Sequence, residues 1–129
     1  MTSKLTWGYS LLDGAIIELN AINISNKELS RRLSFLVDTG SDMTVINNQI
    51  FNILKLVFIE DVDVTLGGNV KDKWKVSYLA IEIPGMSIRE ELEVLVCPDN
   101  QGDNLLGRDF LIKYVACFDG VNKQFTLQT

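Results

Sequence analysis

The chain reads as an all-β domain, a sandwich or barrel of short strands with one or two short helices. Apolar and polar residues alternate along most of its length, the period expected of half-buried strands. Turn signals punctuate these runs at short intervals, at Asn26-Lys27, Gly67-Gly68-Asn69, Pro84-Gly85 and Asp119-Gly120, a spacing typical of sandwiches and barrels. Only two windows, after Asn47 and after Gly107, shift toward helical spacing.

The first predicted strand is the long alternating run from Ala15 to Ile24, closed by Asn26-Lys27. No element is predicted before Ala15. Leu33 to Val37 forms the next strand and carries the chain into Asp38, and Thr44-Val45-Ile46 forms a short one. Asn47 can cap a helix running to about Leu56, with Ile50, Ile53 and Leu54 on one face. Val62–Leu66 and Val70–Ile83 flank Gly67-Gly68-Asn69 as a hairpin. Pro84-Gly85 turns the chain into a strand from Met86 to Val96, and a polar loop follows from Pro98 to Asp103. Leu105-Leu106 is a short buried strand, and Arg108 to Tyr114 a short helix. Val115–Phe118 and Gln124–Gln128 close the chain across Asp119-Gly120.

With 129 residues, one domain spanning the whole chain is expected. Apolar residues make up 47% and charged residues 22%, an ordinary balance for a chain able to bury a core. Seventeen acidic against twelve basic residues give a net charge of −5, which argues against a nucleic-acid partner. The most apolar window, Ile50 to Ile59, is interrupted by Lys55 and is too short to span a membrane. No signal-peptide pattern opens the sequence, so a cytoplasmic location is expected. Cys97 and Cys117 lack metal-ligand spacing. Two free thiols in a reducing compartment are expected, with a disulfide as the alternative.

The chain contains no histidine. That excludes Ser-His-Asp and Cys-His catalysis and a His-Glu-x-x-His zinc site. Two cysteines do not complete a zinc site, and no calcium or phosphate loop is present. No metal or other cofactor is expected. Carboxylate chemistry remains.

The stretch that offers it is Asp38-Thr39-Gly40-Ser41, after Phe35-Leu36-Val37 and before Asp42-Met43-Thr44-Val45-Ile46. A carboxylate that ends a buried strand and enters a tight glycine turn is held rigidly, as an acid or base requires. Asp-Thr-Gly alone is only moderately specific. Its specificity rises with the apolar strand before it, Leu105-Leu106-Gly107-Arg108-Asp109 downstream, and a Gly-rich hairpin between the two. Over about residues 14–128 this arrangement resembles the retropepsin-like aspartic proteases, single-domain relatives of pepsin.

The resemblance implies a retropepsin-like acid-protease barrel and an endopeptidase in which two carboxylates share one proton and activate a water. Pepsin's two-lobed chain carries two such motifs and this one carries one. The resemblance therefore implies a homodimer with one Asp38 from each subunit, acting on a peptide or protein substrate. Thr39 resembles the threonine that reaches across the twofold axis. Gly40 allows close approach of substrate backbone and offers a carbonyl, and Ser41 is placed to donate to the outer oxygen of the aspartate. Asp42 and Arg108 match an ion pair whose aspartate also meets substrate, while Asp109 matches a helix-capping position. Gly67 and Gly68 fall at the tip of a flap, about residues 61–76, that closes over bound peptide.

Trp7 and Trp74 are expected to be packing residues. The chain is longer than a minimal retroviral protease, and its termini do not match the interdigitating strands of the viral dimer. From a different class, the alternative reading is a protease-like dimerisation or peptide-binding module without turnover, which would bind extended peptides by strand addition.

Overall fold

The computed structural model describes residues 3–129. Ten strands and two short helices follow one another as β1 Lys4–Ser10, β2 Gly14–Ile22, β3 Ser30–Val37, β4 Val45–Asn47, α1 Asn48–Ile53, β5 Glu60–Thr65, β6 Lys71–Ile83, β7 Ile88–Cys97, β8 Asn104–Leu106, α2 Arg108–Leu111, β9 Val115–Asp119 and β10 Gln124–Gln128. The strands join in the order β5-β6-β7-β4-β8-β3-β2-β1-β10-β9, and β6 also pairs with β2. That extra pairing curls the sheet onto itself, so that alternate residues of most strands face one interior. All-β architecture with two short helices is what the alternation predicts.

Local chemistry sets several boundaries. β2 stops at Ile22 because Asn23 is engaged elsewhere. Its amide donates to the carbonyls of Leu54 (2.9 Å) and Lys55 (3.2 Å), and its Oδ1 accepts the backbone N–H groups of Ser25 and Asn26. Asn47 caps α1 as expected, accepting from the Ile50 N–H at 3.0 Å. The helix ends at Ile53 rather than near Leu56, and Lys55 takes a left-handed conformation at φ 52°. This lets Leu54 and Leu56 both turn inward, and a continued helix would separate them. α2 likewise ends at Leu111, short of Tyr114, in i→i+3 bonds from Lys113 to Phe110 and from Tyr114 to Leu111.

β1 has no counterpart in the sequence-based prediction. Lys4 to Gly8 pair antiparallel with Gln128 to Gln124, and Tyr9-Ser10 pair with Ala15 and Gly14. Leu5, Trp7 and Tyr9 alternate with exposed Lys4, Thr6, Gly8 and Ser10, so a period-two signal was present here and the sequence reading missed it. What local pattern does not show is the partner of Lys4–Gly8, more than 100 residues away. The terminal strands β1, β10 and β9 thus pair with one another within a single chain, at one end of the strand order.

The main core contains Ile17, Leu19, Phe35, Ile46, Leu79, Ile81, Leu106, Phe110, Phe125 and Leu127, all at 1% exposure or less. Burial of each such side chain contributes about 1.5–3 kcal/mol relative to exposure. A smaller cluster of Val45, Val76 and Leu95, joined by Met43, Val62, Val64, Trp74 and Leu105, lies beneath the β5–β6 hairpin. Trp74 packs there and Trp7 packs against Phe125 with ring centroids 6.2 Å apart, so both tryptophans serve packing. Cys97 and Cys117 are free thiols.

Candidate active site

The parallel pairing of β3 with β8 brings the two sequence motifs together. Val37 is in register with Leu106, and the Asp38 N–H donates to the Leu106 carbonyl at 3.0 Å. Asp38 is therefore fixed at the end of a buried strand, level with Gly107. Beyond it the chain turns sharply. The Gly40 N–H donates to Asp38 Oδ1 at 2.9 Å, and the Ser41 N–H to the Asp38 carbonyl at 3.2 Å. A Cβ on Gly40 would lie 3.1 Å from Oδ1, so a side chain there would crowd the carboxylate. Asp38 itself is half-buried, while Thr39 and Gly40 are exposed.

The segment at the start of α2 holds this loop from behind. The Arg108 N–H donates to the Ser41 carbonyl (2.8 Å), the Asp109 N–H to the Asp42 carbonyl (3.2 Å), and Arg108 Nη1 to the Thr39 carbonyl (2.8 Å). Three carbonyls of the loop, those of Thr39, Ser41 and Asp42, are thus pinned by two neighbouring residues.

Two sequence expectations need correction. Asp42 and Arg108 form no ion pair. Among the described residues the ion pairs are Lys73–Asp63, Arg89–Glu91 and Lys113–Glu90. The guanidinium is engaged by the Thr39 carbonyl instead, and the Asp42 carboxylate stays exposed. The Ser41 hydroxyl donates to the Met43 carbonyl at 2.6 Å rather than to Asp38. Its acceptor is a backbone carbonyl two residues along the same turn, so this hydroxyl stabilises the turn.

Sequence reasoning missed the residue at the centre of this network. Thr44 is fully buried. Its N–H and hydroxyl donate to the two oxygens of Asp109 at 3.1 and 2.8 Å, and its Oγ1 accepts the Gly107 N–H at 3.2 Å. Asp109 also accepts from its neighbour Phe110 at 2.8 Å, but the N-cap of α2 is Gly107, which makes no side-chain cap. One signal was available. A threonine inside the apolar run Met43–Ile46 is buried, and a buried hydroxyl requires partners. Gly107 completes the packing, since a Cβ there would stand 2.5 Å from the Met43 backbone carbon and oxygen.

Gly67 and Gly68 lie at the tip between β5 and β6, both with positive φ, 100° and 57°. The tip is closed by bonds from Leu66 N–H to the Val70 carbonyl (2.8 Å) and from Val70 N–H to the Gly67 carbonyl (3.2 Å). At the base of this hairpin Val62 and Val64 pack with Met43, Val45 and Leu105, the residues that flank the Asp38 loop and Gly107. Between the hairpin and Asp42-Met43 opens a cleft of about 480 Å³. Asp42 and Met43, which follow the Asp38 loop, line this cleft, and Asp38 itself does not. A half-buried carboxylate on a rigid loop can accept or deliver a proton to a bound group.

A family model for aspartyl proteases matches residues 22–110. The chain belongs to the aspartyl protease family. The matched segment runs from the end of β2 into α2 and includes both the Asp38 loop and Gly107. Among solved structures, a retropepsin-like aspartic protease from Rickettsia conorii superposes with a TM-score of 0.69 at 15% identity, covering 99% of this chain and 92% of that one. EIAV protease in complex with the inhibitor HBY-793 superposes with a TM-score of 0.52 at 24% identity, covering 81% and 91%. A search of curated proteins finds no matching sequence. The fold is retropepsin-like, as the order of motifs implies.

Proposed function

We propose that the protein is an aspartic endopeptidase, active as a homodimer in which each subunit contributes Asp38. The observation that carries this is the fixed Asp38 loop, with one carboxylate set by the Gly40 N–H and braced by Arg108. Each chain supplies one Asp-Thr-Gly, and the chemistry needs two carboxylates. A twofold axis between two copies of the loop supplies the second. Two such groups a few ångströms apart share one proton. The ionised one takes a proton from water as the water oxygen attacks the scissile carbonyl. The protonated one donates to the carbonyl oxygen, and the resulting tetrahedral species collapses as the amine leaves with a proton.

The supporting residues take roles around that step. Thr39 ties the two loops across the axis, Gly40 leaves room for substrate backbone, and Ser41 shapes the turn. Asp42 meets the peptide from the loop side. The hairpin carrying Gly67 and Gly68 closes over the peptide as a lid, and flexible glycines at its tip suit that motion.

Purified protein should cleave an unfolded protein at acidic pH, with a bell-shaped profile, and a statine-type inhibitor should block it. Asp38→Asn is nearly isosteric and keeps an acceptor for the Gly40 N–H. It should lower turnover by on the order of 10²–10⁴-fold and leave the circular dichroism spectrum unchanged. Specific activity should fall on dilution through the dimer dissociation constant. Unchanged cleavage by Asp38→Asn, or full activity from a monomer, sinks the proposal.

A further inference from the structure

The cleft beside the Asp38 loop has a composition that bears on substrate choice. On one side it is bounded by β5, the edge strand of the sheet, and on the other by Asp42-Met43 and by Glu93 and Leu95 of β7. Its floor is apolar, made chiefly by Val62, Val76 and Leu95, part of the small core beneath the hairpin. Its rim carries four carboxylates, Asp42, Glu60, Asp63 and Glu93, and no Lys or Arg lines it. Of these four, only Asp63 has a cationic partner among the described residues, Lys73 at 3.8 Å, with both side chains largely in solvent. The other three face the cleft without an ion pair.

An apolar floor beneath an anionic rim matches one kind of side chain, a long aliphatic stem ending in a cation. The floor takes the methylenes and the rim takes the charge. An acidic side chain at the same place would meet like charges. The volume, about 480 Å³, leaves room for such a side chain. Asp42 and Met43 line this cleft and Asp38 does not, so the cleft takes a residue removed from the scissile bond.

Resting on the endopeptidase reading, we infer that the protein prefers substrates with Lys or Arg at one such removed position, the cation meeting Asp42, Glu60 and Glu93. The rim carboxylates are exposed, and exposed ion pairs are individually weak. The expected preference is therefore about 3–10-fold, not orders of magnitude.

The test is a peptide series identical except for one residue, scanned from four positions before the scissile bond to four after it as Lys, norleucine or Glu. The full-length protein should give kcat/KM about 3–10-fold higher for Lys than for norleucine at one position, with Glu lowest there. The ratio should shrink toward one with added NaCl and in the double variant Glu60→Gln/Glu93→Gln. The same peptides are titrated onto Asp38→Asn protein by fluorescence anisotropy, and the Lys peptide should bind more tightly by a similar factor. Equal or poorer use of Lys at every position, or a Lys preference unchanged in the double variant, overturns the inference while leaving peptide cleavage standing. Selective binding by Asp38→Asn without cleavage by the wild type supports the cleft assignment and overturns the enzymatic reading.

Discussion

Gly107→Ala probes the contact on which the site depends. The backbone at Gly107 is extended, φ −89° and ψ −179°, which alanine adopts without strain, so the effect is purely steric. The added Cβ would stand 2.5 Å from the Met43 carbon and oxygen and 2.9 Å from the Thr44 nitrogen. Ordinary contact begins near 3.4 Å, so backbone must move by close to 1 Å. Overpacking of this kind costs about 1–3 kcal/mol. Moving the Met43–Thr44 backbone also strains Thr44 against Asp109 and Gly107, bonds of 2.8 to 3.2 Å, each contributing about 0.5–1.5 kcal/mol. Together the loss should be about 3–5 kcal/mol, a drop in Tm of roughly 10–20 °C for a domain of this size.

Thermal melts by circular dichroism measure that loss, with Gly8→Ala as the control. Nothing lies within 4 Å of a Cβ at Gly8, and its substitution should leave Tm level or slightly raised. Peptide cleavage at a temperature where Gly107→Ala remains folded should also fall, because Met43 and Thr44 continue directly from the Asp38 loop. A Gly107→Ala protein melting within about 2 °C of wild type would refute the packing argument.

Arg108→Gln removes the donor to the Thr39 carbonyl from an exposed position. Stability should change by less than about 1 kcal/mol, while kcat/KM falls more steeply because the Asp38 loop loses a brace. Equal proportional losses in Tm and activity would mean a merely structural role. Asp119 is held below the ordinary carboxylate range, first by the Asn122 backbone N–H and then by its side-chain amide. A depressed pKa stabilises the fold above the ordinary value near 3.8, and this contribution is lost as pH falls through the folded value. Asn122→Ala removes the side-chain half, so an NMR titration should show the Asp119 pKa rising. The gap in Tm from wild type should be present at neutral pH and close in acid. A gap independent of pH would show that the amide acts otherwise.

Much of this protein is written locally. Period-two alternation requires a sheet whatever the neighbours, because every second side chain of a strand points the same way. Asn47 caps a helix through its own side chain, and Gly67-Gly68 turn a hairpin because they take positive φ at little steric cost. Asp38, at the end of an apolar strand, announces carboxylate chemistry in a chain without histidine.

Tertiary structure decided what depends on distant partners. β1 is held along Lys4–Gly8 by Gln124–Gln128, a partner that its own alternation does not name. Arg108 chose the Thr39 carbonyl, far away in sequence, over Asp42. A backbone acceptor in the folded loop lay within reach, and the spacing of charged residues along a chain does not encode such distances. Thr44 emerged as the hub of the site for the same reason. Its partners, Gly107 and Asp109, lie more than 60 residues away and come within 3.2 Å of it only when β3 and β8 pair.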